Sequence, residues 1–338
     1  MEISNKLKER FCKDCNIPLR LYQEPYFTSR LILYDKFYNT LSKWCIFTDE
    51  LKKYNNEQDY FEEYNKVKDA AILSIKESEA YQMFNAEDMN KFVVTYRNLP
   101  SKDIFKPSND GRVFISIDMR KANFSSLKYY GDCISKSMFG DVSTWEDFIS
   151  LFTENKHIVD SKYIRQVVLG NCNPKRHITY EKYIMDNVLT FIEEYCTEDR
   201  IVFFSNDEIV YDFTDMCESN RLYKLQYVKE LIKQELEEEF IIPFRVELFS
   251  LHRIYGTDGY VKRIYNHGNE YTYDFKCLDN YMLPFVLRYF LKEDIKKSDR
   301  MFYQNGLLAE FVDIPEIKGD EEILISRVSR SKFQRGEN

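Results

Sequence analysis

The chain of 338 residues is long enough to form two or three structural units around a sizeable hydrophobic core. Hydrophobic residues make up 44% of it and charged residues 31%, a balance that excludes intrinsic disorder and is ordinary for a globular protein. The net charge of −8 excludes a general cationic coat for nucleic acid, so any nucleic acid would have to bind at local basic patches.

Cysteine usage and hydropathy indicate the compartment. The eight cysteines lie at irregular spacing, and the N-terminal stretch is charged and polar, unlike a secretory leader. No apolar run reaches the length of a membrane span. We therefore expect reduced thiols, a cytoplasmic compartment and no membrane partner. The bias toward Lys, Ile, Asn and Tyr is typical of AT-rich genomes such as those of viruses and phages, in which case the compartment would be the host cytoplasm.

One pair of cysteines, Cys12 and Cys15, has the C-x-x-C spacing of metal ligands. A structural zinc site needs four ligands, and neither a second C-x-x-C nor an H-x-x-x-H follows. We therefore expect two incidental thiols near the end of a helix. The four histidines also lack metal spacing, so none is assigned a chemical role.

Residues 1–105 are predicted to be mainly helical. The stretches 27–54 and 56–84 both place apolar residues at helical spacing, and Thr28 or Ser29 is a helix start signal. Prolines and the turn sequence SNDG at 108–111 then indicate a break in the pattern. The first unit is therefore expected to end near residue 105.

After this break the pattern changes to a mixture of strands and helices. The predicted elements are a strand at 112–118, helices within 144–196, a hairpin at 200–213, an amphipathic helix at 220–240, and strands at 241–255 and 260–268. This order is typical of an α+β fold in which a small antiparallel sheet carries helices on one face. From about residue 270 we expect a helix, less regular chain and a basic C-terminal tail.

Acidic residues lie at the end of the first predicted strand and in the turn of the predicted hairpin. Asp118 ends the first predicted strand, and Asp207 and Glu208 lie in the turn of the hairpin. In the predicted sheet these two places are neighbours, and adjacent carboxylates repel one another unless a cation relieves the repulsion. Oxygen ligands suit Mg²⁺ or Mn²⁺, so the three side chains form a candidate metal site. The plainer explanations are a helix cap for Asp118 and turn chemistry for the other two.

Two of these stretches resemble motifs of right-hand nucleic-acid polymerases, a class that includes reverse transcriptases and family B DNA polymerases. FISIDMRKANFSSL at 114–127 is similar to motif A, an apolar strand that ends in a metal-binding Asp. VFFSNDEIVYDF at 202–213 is similar to motif C, a hairpin with an acidic turn, although SNDE stands where the family usually has two Asp. The resemblance covers about residues 112–265 and implies a palm-like sheet of the ferredoxin-like or RRM-like type.

The resemblance also implies roles for several basic and polar residues. In that family a fingers helix lies between the two motifs and offers cations to the incoming triphosphate. The candidates here are Lys162, Arg165, Lys175 and Arg176. Asn123 or Phe124 would lie near the sugar of the incoming nucleotide. Lys262 and Arg263, in YVKRIYNHG, would touch the primer end.

The resemblance and the predicted elements together imply three units. These are a helical N-terminal region at 1–105, a palm-like domain at 106–265 with a helical fingers-like insertion at about 140–198, and a thumb-like or docking region at 266–338 that includes the basic tail. The implied function is nucleotidyl transfer to a nucleic-acid 3′ end by a two-metal mechanism. The implied partners are DNA or RNA, nucleoside triphosphates and further proteins of a larger assembly.

Two other functions stay open from the sequence. The incomplete acidic motif favours a non-enzymatic viral or phage protein, either structural or accessory to replication. The same carboxylates would also suit a metal-dependent nuclease, because two-metal geometry supports hydrolysis as well. The basic residues within 162–176 are also compatible with an ordinary solvated surface. The chain lacks P-loop, G-x-G-x-x-G, G-x-S-x-G and H-E-x-x-H motifs, which argues against kinase-like, dehydrogenase, hydrolase and zincin activities.

Overall fold

The computed structural model describes residues 3–95, 98–193, 195–236, 241–266, 270–304 and 307–317. Within these ranges no helix is both long enough and apolar enough to span a lipid bilayer. The basic tail predicted at the C-terminus lies outside the described residues.

The N-terminal part is helical, as the sequence predicts. Its helices are α1 (Asn5–Asp14), α2 (Tyr26–Tyr38), α3 (Thr40–Leu51), α4 (Glu57–Glu77) and α5 (Glu79–Ala86). Ser4, Asn56 and Ser78 each begin a helix by accepting a hydrogen bond from a backbone N–H of its first turn. Short 3₁₀ turns lie at Met89–Lys91 and Pro107–Asn109, in the segment that leads to the first strand.

A second group of helices follows the first strand. They are α6 (Ala122–Cys133), α7 (Trp145–Ser150), α8 (Lys156–Val159), α9 (Lys162–Gly170) and α10 (Pro174–Ile192). Thr144 begins α7, because its Oγ1 accepts a hydrogen bond from the N–H of Asp147 at 3.1 Å. Further along the chain are α11 (Glu218–Leu231), which continues as a π-helical turn, and α12 (Leu283–Leu291).

Six strands form one antiparallel sheet. They are β1 (Val113–Met119), β2 (Ile201–Phe204), β3 (Glu208–Asp212), β4 (Phe244–Tyr255), β5 (Tyr260–Tyr265) and β6 (Tyr271–Lys276). Their order across the sheet is β2-β3-β1-β4-β5-β6, so β1 lies between β3 and β4. The α+β class and the strands predicted before residue 265 are confirmed. Strand β6 was not predicted, and it continues the sheet beyond the predicted boundary at 265.

Three short strands lie near the end of the described chain. β7 (Met301–Gln304) and β8 (Leu307–Glu310) form a separate antiparallel hairpin. β9 (Glu316–Ile317) pairs with the last residues of β4. These strands therefore add little to the sheet that carries the acidic residues.

Alternation along β1 gives the two faces of the sheet different neighbours. Ile115 and Ile117 are buried in the main core, together with the apolar sides of the helices. Phe114 belongs to a smaller cluster on the opposite face, where Ile104 from the preceding loop covers it. Asp118 follows Phe114 at an interval of four residues and therefore lies on this second face. The helices cover one face, and the acidic end of β1 is left on the other.

The main core joins the N-terminal helices to the sheet. It extends from Leu7 in α1, through Trp145 in α7 and Ile117 in β1, to Leu287 in α12. The boundary predicted near residue 105 therefore separates elements that share one core.

A buried polar network also ties α1 to the second group of helices. The carboxylate of Asp14 is fully buried and accepts hydrogen bonds from the hydroxyls of Tyr64 at 2.7 Å and Ser161 at 2.8 Å. Nε2 of His157 lies 3.1 Å from Oδ2 of the same carboxylate. Each of these groups is costly to bury without its partner, so the network fixes how α1, α4 and the α8–α9 segment pack.

We expect Asp14→Ala to lower the free energy of unfolding by about 3 kcal/mol, because it leaves buried hydroxyl and imidazole groups without an acceptor. Asp69→Ala, on the exposed side of α4, is the matched control and should cost less than about 0.5 kcal/mol. Urea denaturation followed by circular dichroism measures both. Equal stability of the two variants would show that the network does not hold these helices together.

Candidate active site

The acidic end of β1 lies beside the hairpin turn between β2 and β3. Asp118 is directly opposite Glu208 on β3 and Arg245 on β4, so the three side chains form one row on the same face of the sheet. The N–H of Met119 donates a hydrogen bond to the carbonyl oxygen of Asp207 at 2.8 Å. The sequence prediction that Asp118 meets the acidic hairpin turn is therefore confirmed.

Ser205 fixes the shape of this turn. Its hydroxyl donates to Oδ1 of Asp207 at 2.9 Å and accepts from the backbone N–H of Glu208 at 3.0 Å. Its own N–H donates to the carbonyl oxygen of Glu208 at 2.9 Å. The carboxylate of Glu208, by contrast, forms no hydrogen bond or ion pair with any residue of the described ranges. Glu208 rather than Ser205 thus faces Asp118, while Ser205 stabilises the turn through its hydrogen bonds.

Two cations from neighbouring strands partly neutralise the acidic residues. Nη2 of Arg245 lies 2.8 Å from Oδ2 of Asp118, and its Nε lies 3.6 Å from Oε1 of Glu247. On β5, Nζ of Lys262 lies 2.8 Å from Oε2 of Glu247. With the two carboxylates of the hairpin turn, four acidic side chains share these two cations. The group therefore carries excess negative charge whenever all four carboxylates are ionised.

Burial and this excess charge raise the pKa of two carboxyl groups. Burial raises the pKa of Glu208 to about 7; Lys262 opposes the shift, and the charges of Asp118 and Asp207 add to it. Burial also raises the pKa of Asp118, with Arg245 opposing the shift and Asp207 adding to it. Both carboxylates would be stabilised by a further cation.

A cavity of about 240 Å³ opens over this row of charges. Asp118, Glu208 and Arg245 line it from the sheet. The loop at 103–105 lines it from the other side, where Phe105 packs against Tyr260 with 5.9 Å between ring centroids. The cavity therefore presents charged groups on the sheet side and an aromatic group on the loop side, which suits a small charged ligand.

Two of the cations predicted on the fingers-like helix lie outside the lining of this cavity, and one of them, Lys162, is within electrostatic range of residues that line it. Lys162 and Arg165 are half-buried on α9, and neither forms a hydrogen bond or ion pair within the part of the chain that the structure describes. Burial lowers the pKa of Lys162, and the positive charges of Arg165, Lys276 and Arg245 lower it further. Since Lys276 and Arg245 line the cavity, α9 brings unpaired positive charge within electrostatic range of it.

The other two predicted phosphate ligands lie elsewhere. Arg176 donates from Nε to the carbonyl oxygen of Phe84 at 3.0 Å and from Nη2 to that of Glu87, so its guanidinium caps the end of α5. Lys175 is exposed on the first turn of α10. Neither lines the cavity over the acidic row. Arg176 is thus a structural residue, which corrects its predicted role, because two of its three nitrogens are bound to backbone carbonyls away from the cavity.

The residues predicted near the nucleotide sugar differ in burial. Phe124 is only 4% exposed and packs against Phe139 and Trp145, with ring centroids 4.7 and 6.0 Å away. It belongs to the core, so it cannot contact a sugar, and this corrects the prediction. Asn123, the alternative candidate, is exposed at the start of α6.

The two cations predicted at the primer end point to opposite faces of the sheet, as neighbours on a strand must. Lys262 lines the cavity and binds Glu247, and its Nζ lies 4.2 Å from the ring centroid of Phe249. The guanidinium carbon of Arg263 lies 3.8 Å from the ring centroid of Tyr271, away from the cavity lining. Of this pair, Lys262 alone lies at the site.

Glu181 on α10 is a buried acidic residue beside the hairpin turn that sequence reasoning missed, and it does not line the cavity. Its side chain is 3% exposed, its Oε2 accepts from Nδ2 of Asn206 in the hairpin turn, and its Oε1 has no hydrogen-bond partner among the described residues. Burial raises the pKa of Glu181 to about 7; Asn206 opposes the shift, and the charge of Asp207 adds to it. The available signal was an acidic residue at helical spacing with the buried Ile184 and Val188, where an apolar residue is expected.

No group of three or more His, Cys, Asp or Glu side chains within the described ranges is already placed to hold a metal ion. Cys12 and Cys15 are free thiols, and burial raises the pKa of both. They therefore stay protonated near neutral pH and make poor metal ligands in this state.

Comparisons with protein-family models, with curated proteins and with solved structures found no significant match to this chain.

We expect Glu181→Gln to change how stability depends on pH. The pKa of Glu181 is about 7 in the folded chain and near 4.5 in the unfolded chain, so its favourable contribution is complete below pH 4.5 and is lost as the pH rises through 7. At pH 8 the variant should therefore be more stable than the wild type by about 1–3 kcal/mol, and at pH 4 the two should be equal.

Chemical denaturation at a series of pH values measures this difference. Glu230→Gln, on the exposed side of α11, is the matched control and should follow the wild type at every pH. A Glu181→Gln protein with the pH dependence of the wild type would contradict a raised pKa at this position.

Proposed function

We propose that this protein is a nucleotidyltransferase with a palm-like catalytic domain that adds nucleotides to the 3′ end of a nucleic acid. The observation that carries the proposal is the meeting of Asp118 with the acidic hairpin turn, on the sheet face that the helices leave open. Two features of the topology also support it. Along the chain the elements follow the order strand, helices, strand, strand, helix, strand, and across the sheet the order is β2-β3-β1-β4. Ferredoxin-like sheets have the same two orders. Such a sheet is what the motif resemblance implies.

The carboxylates of the site have the ligand chemistry that a divalent cation needs, although the described side chains are not already placed around one. Asp118, Asp207 and Glu208 would move closer together to hold it, since carboxylate oxygens are the ligands that Mg²⁺ prefers. The raised pKa of Glu208 and the lack of a described partner for its carboxylate support this fit. When bound, Mg²⁺ or Mn²⁺ would supply Lewis-acid activation of the attacking hydroxyl and of the transferred phosphate.

The neighbouring side chains would bind and orient the substrates. Lys162 and Arg165 are unpaired within the described residues, so they are free to bind the phosphates of an incoming nucleotide and to stabilise the charge that develops on them. Arg245 holds the carboxylate of Asp118 on the cavity side of β1. Lys262 is held by Glu247 and adds positive charge beside the same cavity.

We expect wild-type protein to incorporate labelled nucleotides when given single-stranded and primed DNA or RNA, all four NTPs or dNTPs, and Mg²⁺ or Mn²⁺. Asp118→Asn should lower the rate at least about 100-fold, because it removes a negative ligand at the centre of the site. Asp215→Asn, whose carboxylate pairs with Arg200 at the surface, is the matched control and should keep the wild-type rate. Absence of incorporation by folded wild-type protein under every condition would refute the proposal.

We also expect Mg²⁺ or Mn²⁺ at millimolar concentration to raise the Tm of the wild type by about 2 °C, because the cation binds the folded state and relieves repulsion among the carboxylates. Asp118→Asn should remove this shift, and Asp215→Asn should keep it. Differential scanning fluorimetry, with Ca²⁺-free buffer and an EDTA reference, measures the three proteins side by side. A shift of equal size in all three would place the cation elsewhere.

A non-catalytic role in replication is the second candidate function. The observation that favours it is the ion pair between Arg245 and Asp118, which satisfies the central carboxylate without a metal. In that case Mg²⁺ would not change the Tm, and Asp118→Asn would leave nucleic-acid binding intact. The incorporation and melting experiments therefore separate the two candidates.

A further inference from the structure

A second cavity, of about 470 Å³, lies between the N-terminal helices and the far edge of the sheet. The end of α1 and the loop after it form one side, and α9 and β6 form the other. Lys276 on β6 lines both this cavity and the one over the acidic row. The two cavities are therefore neighbours, with a cation where they adjoin.

Positive charge exceeds negative charge around the second cavity. Lys13, Arg20 and Lys276 line it, against the single carboxylate of Asp274. Lys13 pairs with Glu9 at 2.7 Å and Lys276 pairs with Asp274 at 2.6 Å, whereas Arg20 forms no ion pair within the described ranges. Arg20 therefore leaves one unneutralised positive charge at this cavity, which favours an anionic ligand.

Aromatic and amide side chains line the rest of this cavity. The aromatic residues are Tyr38, Tyr163 and Phe275, and the amide residues are Asn16, Gln166 and Asn280. Aromatic rings offer faces on which a base can stack, and amides offer both donors and acceptors to the edge of a base. Cations, rings and amides around one cavity are the combination that a nucleotide requires.

We propose that this cavity binds one nucleotide of a single-stranded nucleic acid, whose neighbouring phosphates pass Lys276 toward the acidic row. The inference names the polymeric partner of the active site and so rests on the proposed function. Lys162 lies within electrostatic range of Lys276, and Arg165 lies within electrostatic range of Lys162, so the two would continue the positive path along α9. A single strand fits better than a duplex, because a base must leave the helical stack to enter a cavity of this size.

The experiment measures fluorescence anisotropy of a labelled oligothymidylate and a labelled oligouridylate over a series of salt concentrations. Lys13→Ala/Arg20→Ala removes two cavity cations that lie at exposed positions, so the fold should be kept. Lys52→Ala/Lys66→Ala removes two exposed lysines that lie outside the cavity, one directly after α3 and one on α4, and it is matched in charge.

We expect the cavity variant to bind about 10-fold more weakly than the wild type at low salt. The slope of log affinity against log salt should also become smaller by about 1.4, which corresponds to two phosphate contacts on a single strand. The control variant should bind as the wild type does, and a hairpin duplex should compete less well than the unlabelled oligonucleotide. These results together would support the site.

Equal affinity of the cavity variant and the control variant would overturn the inference. Complete displacement of the oligonucleotide by an equal nucleotide concentration of UMP or TMP would also overturn it, since the ligand would then be a free nucleotide. Incorporation by the wild type, measured beside its oligonucleotide binding, separates this inference from the proposed function. If the wild type binds the oligonucleotide through this cavity but incorporates no nucleotide, the binding site is supported and the proposed polymerase activity is refuted.

Discussion

The pairing of β1 with β3 places the carboxylate of Asp118 beside that of Glu208, and the two negative charges repel each other. The positively charged groups of the site are positioned where they reduce this repulsion. Glu208, Asp118 and Arg245 share one row because the register of three strands aligns them. Such a row is costly unless cations are near. Lys262 and Lys162 supply positive charge from outside the row, and the carboxylate of Glu208 has no hydrogen-bond or ion-pair partner among the described residues.

The rest of the fold holds this unfavourable arrangement in place. The main core spans the N-terminal helices, the helices after β1 and one face of the sheet, so β1 cannot slide without disturbing all of them. Beneath the hairpin turn, Glu181 binds Asn206 and adds another buried carboxyl group to the same region. Stability elsewhere, including the network around Asp14, offsets the cost of clustering these acids.

Periodicity and turn signals were sufficient to predict β1 and the β2–β3 hairpin, because each is a short apolar run bounded by polar turns. The same reasoning predicted that Asp118 lies beside the acidic turn, because the order of strands in the sheet determines which strand ends are adjacent. The same reasoning failed to predict β6. That strand is defined by its pairing with the edge of β5, and such a pairing is a tertiary contact that local sequence patterns do not reveal. The reasoning failed for Arg176 because a cation that faces a phosphate and one that faces helix carbonyls look alike in a sequence.

Alternation along β1 also divides the constraints on its evolution. Ile115 and Ile117 are held by the packing of the core, whereas Asp118, on the opposite face, lines the cavity and is only partly buried. Substitution of Asp118 would therefore change the chemistry of the site and leave the packing of the core intact. A few substitutions on this face of the sheet could therefore create, alter or remove the acidic group without disturbing the fold. The acidic turn SNDE is a variant that the fold can accept for this reason.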